Sequence, residues 1–188
     1  IGPGARRLLP VAAIRKLEPR LEIIAAAKHP HQKRWARELG ASTVCEPREL
    51  TRIVRSATGS WLLDDRIAGG APQVVDCVGS ADSLQQALSV VMPIGIVNVV
   101  GMPGHTALDL TGLWHKELML RGCYAYDPGI DFPAAIELIR ELDLGRLLSA
   151  TYPLSRFTEA LEHAANAGSR GSVRIAFDLR NEKERNRI

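Results

Sequence analysis

Gln73-Val74-Val75-Asp76-Cys77-Val78-Gly79 and Gly95-Ile96-Val97-Asn98-Val99-Val100-Gly101-Met102-Pro103-Gly104 decide how this sequence folds. Residues 74–78 and 96–100 are short, largely β-branched runs that each stop at a glycine. Such runs read as strands buried on both faces, as in a parallel sheet with helices above and below. Between them Leu84, Ala87, Leu88 and Val91 fall at i, i+3, i+4 and i+7, the apolar stripe of one helix. Ser80 or Asp82 can cap its start, and Pro93 with Gly95 closes it. The unit is β-α-β. Ligands of such sheets lie beyond the carboxyl ends of the strands, where Gly79 and Gly101 stand.

Outward from this unit the same alternation continues. Upstream, Leu8, Leu9, Ala12, Ala13 and Leu17 make one helix face over 5–17, with Pro10 far enough inside to predict a kink or a late start. Residues 21–27 read as a strand, His29-Pro30 as a helix start, Gly40 as its stop, and 42–45 as a short strand. Leu50, Ile53, Val54 and Ala57 mark another helix, and 60–72 reads as a surface excursion. Downstream, 105–114 crosses the surface and 117–126 is a strand. Phe132, Ala135, Ile136 and Ile139 give one helix stripe. Phe157, Ala160, Leu161 and Ala164 give another, capped by Ser155 and ended by Gly168, and 172–179 is a last strand. Strands alternating with helices predict a doubly wound α/β fold with a parallel sheet. A glycine turn followed by a helix usually follows a strand, so the abrupt opening at Ile1-Gly2-Pro3-Gly4 predicts a first strand truncated from a larger protein.

The 188 residues suffice for one ordinary domain with a real core, and a net charge of +3 is too small to argue for nucleic acid. Arg180–Arg187 is the one basic run, and Glu182 and Glu184 interrupt it, so it reads as a solvated tail. No apolar run approaches the roughly 18–20 residues of a membrane span, and no signal peptide opens the chain. Cys45, Cys77 and Cys123 are scattered, odd in number and without CxxC spacing, which predicts a reduced, cytoplasmic protein.

Gly2-Pro3-Gly4 begins a G-x-G-x-x-G pattern in which Arg7 replaces the third glycine. The first two glycines permit a tight turn and bring backbone N–H groups to a pyrophosphate at a helix start. The third normally lets the helix pack closely on its strand, which arginine cannot do. At the end of the next strand an NAD site would place Asp or Glu for the ribose hydroxyls. Here Ala27 fills that place, followed by Lys28, with Lys33 and Arg34 on the next helix. Losing the carboxylate and adding positive charge favours a 2′-phosphate, hence NADP over NAD. Each of these basic residues also suits an ordinary solvated helix start. Of five histidines only His29-x-His31 is close-spaced, and zinc needs three or four convergent ligands, so no metal site is predicted within the chain. Trp35, Trp61 and Trp114 read as packing residues.

The run Ala36-Arg37-Glu38-Leu39-Gly40-Ala41, the strand Val74-Val75-Asp76-Cys77-Val78-Gly79-Ser80 and the segment 95–104 resemble the medium-chain alcohol dehydrogenase superfamily. So do Leu108-Asp109-Leu110-Thr111-x-Leu113-Trp114-x-Lys116-Glu117-Leu118 and Gly171-Ser172-Val173-Arg174-Ile175. Its zinc-containing branch looks most similar, and the resemblance covers nearly the whole chain in order. It implies a Rossmann NAD(P)-binding domain over 1–150, then a helix and strand over 151–180 that in the family return to the catalytic domain, then a charged tail over 181–188. It also implies that the GroES-like catalytic domain, which carries the zinc ligands, is absent from this chain.

Carried over residue by residue, the resemblance implies a cofactor site. Gly2, Gly4, Ala5 and Arg6 match the pyrophosphate turn, and Ala27 and Lys28 the ribose-selecting positions. Cys77, Val78 and Gly79 match the strand end near the adenine-side ribose and nicotinamide. Val100, Gly101 and Met102 match the strand end beside the nicotinamide, and Gly122-Cys123 the next backbone contact. Arg174 matches a basic residue that reaches the cofactor. The implied activity is hydride transfer between a small alcohol or polyol and nicotinamide, with no catalytic residue in this chain and zinc held in the missing domain. Relatives commonly dimerise by pairing sheet edges, so a homodimer or tetramer through the stretch around 118–123 is implied. Two alternatives stay open: a non-catalytic Rossmann module that has lost its cofactor, motivated by Arg7, and a zinc-independent quinone or enone reductase of the same superfamily.

Overall fold

The structure, a computed structural model, describes residues 5–63 and 66–180. It is an α/β fold whose sheets are parallel apart from one hairpin. Helix α1 (Ala5–Leu17) leads to β1 (Ile24–Ala26), then α2 (Pro30–Glu38) to β2 (Thr43–Cys45), which pairs with β1 in parallel. Helix α3 (Leu50–Thr58) follows, then the antiparallel β3 (Leu62–Leu63) and β4 (Arg66–Ile67). The segment 60–72, expected as an irregular excursion, therefore contains this small hairpin and the start of β5. Strand β5 (Ala71–Asp76), α4 (Ala81–Val90) and β6 (Val91–Val99) form the central β-α-β unit, and β7 (Met119–Gly122) extends the parallel order to β5-β6-β7. The short α5 (Thr111–His115) lies between β6 and β7. After them come α6 (Asp131–Glu141), β8 (Leu148–Tyr152), α7 (Phe157–Ala165) and β9 (Arg174–Phe177), with β8 and β9 parallel.

Alternating strand residues enter different cores, which is what makes the fold doubly wound. Ala25 and Val44 pack with Leu8, Val11 and Ala12 of α1 and Ala36 of α2. Their neighbours Ala26 and Cys45 pack with Leu50 and Val54 of α3 and Val90 of α4. Leu144, Leu147 and Val173 join the first of these cores, so the segments flanking β8 and β9 are anchored on α1. A third cluster joins Ala87 and Leu88 of α4 to Val91, Val97 and Leu118. Among the described residues β1-β2 and β5-β6-β7 pair separately, and a cavity of about 450 Å³ is lined by both β1 and β5 and roofed by Val11 and Ile14 of α1. The strand expected ahead of Gly2 would lie outside the described residues.

Several elements differ from expectation. Helix α1 starts at Ala5 and runs through Pro10, with no late start. Strands expected over 21–27, 117–126 and 172–179 shorten to β1, β7 and β9, and Tyr124 beyond β7 is 99% exposed. Strand β8 was missed altogether. Pro93 and Gly95 do not close α4. The helix gives way directly to β6 at Val91, and Pro93 lies where the pairing with β5 slips between Ala71 and Gln73. A proline lacks the ladder N–H, so such an irregular step is where a strand tolerates it. The helix α7 has Arg156 rather than Ser155 at its N-cap and ends at Ala165, with Asn166 as its C-cap, short of Gly168. The stripe expected on α6 is largely exposed, and the helix contributes to the core through Leu138 instead. Trp35 packs half-buried against the first core, whereas Trp61 and Trp114 are exposed and do not pack.

Candidate functional site

The carboxyl ends of β5 and β6 meet at Asp76. This residue is completely buried. Its carboxylate accepts from the Val78 N–H and the Gly79 N–H, each at 3.0 Å, and from the Ser83 hydroxyl at 3.1 Å. Its backbone carbonyl accepts from the N–H groups of Val100 at 2.8 Å and Gly101 at 3.0 Å. An aspartate that bonds the amide two residues on bends the chain into an Asx-turn. That is why β5 stops at Asp76, and why Cys77 and Val78, expected inside the strand, lie in the turn beyond it. Ser80, not Asp82, caps α4. Its hydroxyl accepts from the Ser83 N–H at 3.2 Å while the Ser83 hydroxyl accepts from the Ser80 N–H at 3.1 Å. This is the reciprocal capping arrangement of a helix start.

Two glycines let the strand ends touch. Gly79 has φ +79°, and a Cβ there would stand 2.7 Å from the Met102 carbonyl. A Cβ on Gly101 would stand 2.5 Å from the Gly79 nitrogen. Val78, Gly79, Val100, Gly101 and Met102 are thereby brought together, and Met102 is 82% exposed beside them. The amides of Val78, Gly79, Val100 and Gly101 are all engaged by Asp76. They are not free donors for a phosphate. One strand further on, Gly122 pairs with Val99, the Cys123 N–H donates to the Val99 carbonyl at 2.9 Å, and the Cys123 thiol lies 3.8 Å from Asn98 Oδ1.

At the end of β1, Ala27 is buried and its N–H donates to the Cys45 carbonyl at 2.9 Å, holding β1 on β2 to its last residue. Lys28 follows, exposed, with no side-chain ion pair or hydrogen bond among the described residues. Lys33 reaches the other way and pairs with Glu46 at 3.0 Å. That hydrogen bond, together with Arg48, holds Glu46 below the usual carboxylate range. His31 stacks on His29 with ring centroids 5.6 Å apart, and burial, then the positive neighbours His29 and Arg34, push its pKa down. Burial, joined by the charge of Glu49, pushes the Cys45 thiol up. Arg174 lies in the β8-β9 sheet, in register with Leu148, not on the β5-β6-β7 sheet. Gly2 and Gly4 lie outside the described residues, as do the side chains of Ala5, Arg6 and Arg7. Among the described residues no three His, Cys, Asp or Glu side chains gather as metal ligands, and no helix is long and apolar enough to cross a membrane.

Sequence reasoning passed over two residues. Asp76 carried a visible signal, a carboxylate three residues ahead of a glycine at a strand end with Ser80 and Ser83 following. Lys116 is 8% exposed and donates to the carbonyls of Ser89 and Val91, each at 2.9 Å. Its partners lie more than twenty residues away, and no local pattern announces them.

Comparison with known proteins agrees with this geometry. The sequence model of the family described as "Zinc-binding dehydrogenase" matches residues 13–141. A protein of Rhizobium meliloti (strain 1021) named "Putative D-xylulose reductase" is 30% identical over 154 residues, covering 80% of this chain and 38% of that protein. Alcohol dehydrogenase class-P of Arabidopsis thaliana is 24% identical over 135 residues, covering 68% of this chain and 34% of its own length. Among solved structures, L-idonate 5-dehydrogenase from Escherichia coli superposes with a TM-score of 0.73 at 25% identity, over 89% of this chain and 45% of that one. An alcohol dehydrogenase zinc-binding domain protein from Burkholderia ambifaria gives 0.76 at 25% identity, over 95% and 47%. The chain thus spans well under half the length of the curated relatives it matches. On the family match and the doubly wound fold together, this chain belongs to the zinc-binding dehydrogenase family.

Proposed function

We propose that this chain is the coenzyme-binding part of an NAD(P)-dependent oxidoreductase that moves hydride between a small alcohol or polyol and nicotinamide. The observation that supports it is the junction at the ends of β5 and β6, where Gly79 and Gly101 let the two strand-end turns touch through their backbones. Folds of this kind take their ligands beyond the carboxyl ends of the parallel strands, where this junction lies. The bound nicotinamide supplies the hydride chemistry. The residues of this chain bind it, orient it and set which dinucleotide fits.

NADP is favoured over NAD. The end of β1 carries a buried alanine where a ribose-binding carboxylate would stand, and the exposed Lys28 beside it is free to meet a 2′-phosphate. Lys33 is occupied by Glu46 and contributes less. The catalytic zinc belongs, in this reading, to sequence outside this chain, and so do the groups that contact the alcohol. Cys45, Cys77 and Cys123 form no disulfide among the described residues, which suits a reducing, cytoplasmic setting. Strand β7, at the edge of its sheet with Met119 and Leu120 exposed, suits pairing with a second copy in a homodimer or tetramer.

Titration with NADPH and NADH, followed by tryptophan fluorescence, tests the reading. Saturable change with both, at lower concentration for NADPH, is expected. Silence towards both at millimolar concentration leaves the non-catalytic module as the reading instead.

A further inference from the structure

Burying a carboxylate is costly unless its oxygens are hydrogen-bonded, and Asp76 is buried with three donors on its side chain and two on its carbonyl. Those five donors come from three separate places: the 78–79 turn, the first turn of α4 and the 100–101 turn. We propose that Asp76 is the positioning residue of the strand-end junction, fixing the spacing between the 78–79 and 100–102 turns and so the depth at which the nicotinamide half of the dinucleotide seats. The proposal rests on the coenzyme reading above and adds to it a residue that touches no ligand.

The geometry explains why one carboxylate has this authority. Gly79 and Gly101 are in backbone contact with no slack, since a methyl group on Gly101 would stand 2.3 Å from the other turn and one on Gly79 2.7 Å from it. A shift of one turn therefore moves the other. The amides that define both turns point inward to Asp76, which leaves their outer faces to be set by how firmly the inner ones are held. Small displacements of a positioning shell cost binding and rate steeply.

Asp76→Asn keeps the shape and removes the charge. One oxygen becomes an NH2 group that must face the Val78 N–H, or else the Gly79 N–H and the Ser83 hydroxyl, setting donor against donor. The turn then opens locally. Binding of NADPH and of 2′-phospho-ADP-ribose, which lacks the nicotinamide, separates a positioning role from general damage. The expected result is a dissociation constant for NADPH raised about tenfold or more, with the truncated ligand within about twofold of wild type. Equal weakening of both ligands, or no weakening of either, overturns the proposal. Wild-type protein that binds neither ligand overturns the coenzyme reading itself, a result distinct from a wild type that binds both. Should Asp76→Asn not fold, Ser83→Ala removes one of the three side-chain donors and carries the same test. A loss confined to NADPH supports the role, and an equal loss in both ligands or no loss in either overturns it.

Discussion

Gly101 stands against the turn of Gly79 with no room for a side chain, since a Cβ there would lie 2.5 Å from the Gly79 nitrogen. The obstacle is backbone, which cannot swing aside as a flexible side chain would. Gly101→Ala should therefore destabilise the protein by about 2–3 kcal/mol, the scale of overpacking at a site that cannot relax. Gly104→Ala is the control, because nothing lies within 4 Å of a Cβ there, and it should stay within about 0.5 kcal/mol. Urea unfolding of the two variants reads the difference directly. Matching midpoints would show that the strand-end contact has slack.

Lys116 ties the end of α4 to the start of β6. Its ammonium donates to the Ser89 and Val91 carbonyls at 2.9 Å, and Val91 is completely buried. A cation at the last turn of a helix also meets the negative end of the helix dipole. Lys116→Met keeps most of the apolar stem and leaves both carbonyls without this donor. The expected loss is about 2–3 kcal/mol, the scale for stranding the buried Val91 acceptor that was bonded to a charge. A loss under about 0.5 kcal/mol, in the range of surface substitutions, would mean that water replaces the ammonium.

Local chemistry was legible in the sequence and long-range partners were not. Ser80, offered with Asp82 as a cap, and the Leu84, Ala87, Leu88 stripe are close in sequence, and they made the start and buried face of α4 legible. Pro93 and Gly95 were misplaced because what shapes 91–95 comes from elsewhere: the Ile94 N–H donates to the Lys116 carbonyl at 2.7 Å. Strand β8 was missed because it is recognisable only through β9, which lies some twenty-five residues on. At the site, the two glycines were legible as marking the carboxyl ends of the strands, but their backbone contact with each other was not. The fate of their amides was not, since it depends on a side chain, that of Asp76, turning back on its own strand end.

The pH dependence of stability should carry the mark of His31. Burial lowers its pKa, and His29 and Arg34 push in the same direction. The unfolded chain therefore holds the proton more tightly than the folded one. Stability is full above the unfolded value near pH 6.5 and is lost as pH falls towards the lower folded value. The carboxylates act in a separate, more acidic window: Asp178, held at about 2 by the Arg180 side chain, loses its contribution only well below pH 4. Melting temperatures of wild type and His31→Gln, compared between about pH 7.5 and 5.5, isolate the histidine. The wild type should fall more steeply than the variant, and parallel curves would remove His31 from the account.

Tyr152, His163 and Ser172 form a chain of hydrogen bonds that closes the β8-α7-β9 unit. The Tyr152 hydroxyl lies 2.8 Å from His163 Nδ1, and His163 Nε2 lies 2.7 Å from the Ser172 hydroxyl, which is buried. The three residues come from a strand, a helix and the approach to the next strand, so the chain pins α7 to both strands at once. Because each imidazole nitrogen serves a different neighbour, the two bonds share one ring orientation and should be coupled. Tyr152→Phe and Ser172→Ala should each cost about 0.5–1.5 kcal/mol, the usual net worth of a hydrogen bond. The double variant should cost less than the sum by about 0.5 kcal/mol or more, as expected of groups in one network. A double-mutant cycle by urea unfolding gives that number. Strict additivity would mean that the ring is held by packing alone, with its T-shaped contact on Tyr152 sufficient to fix it.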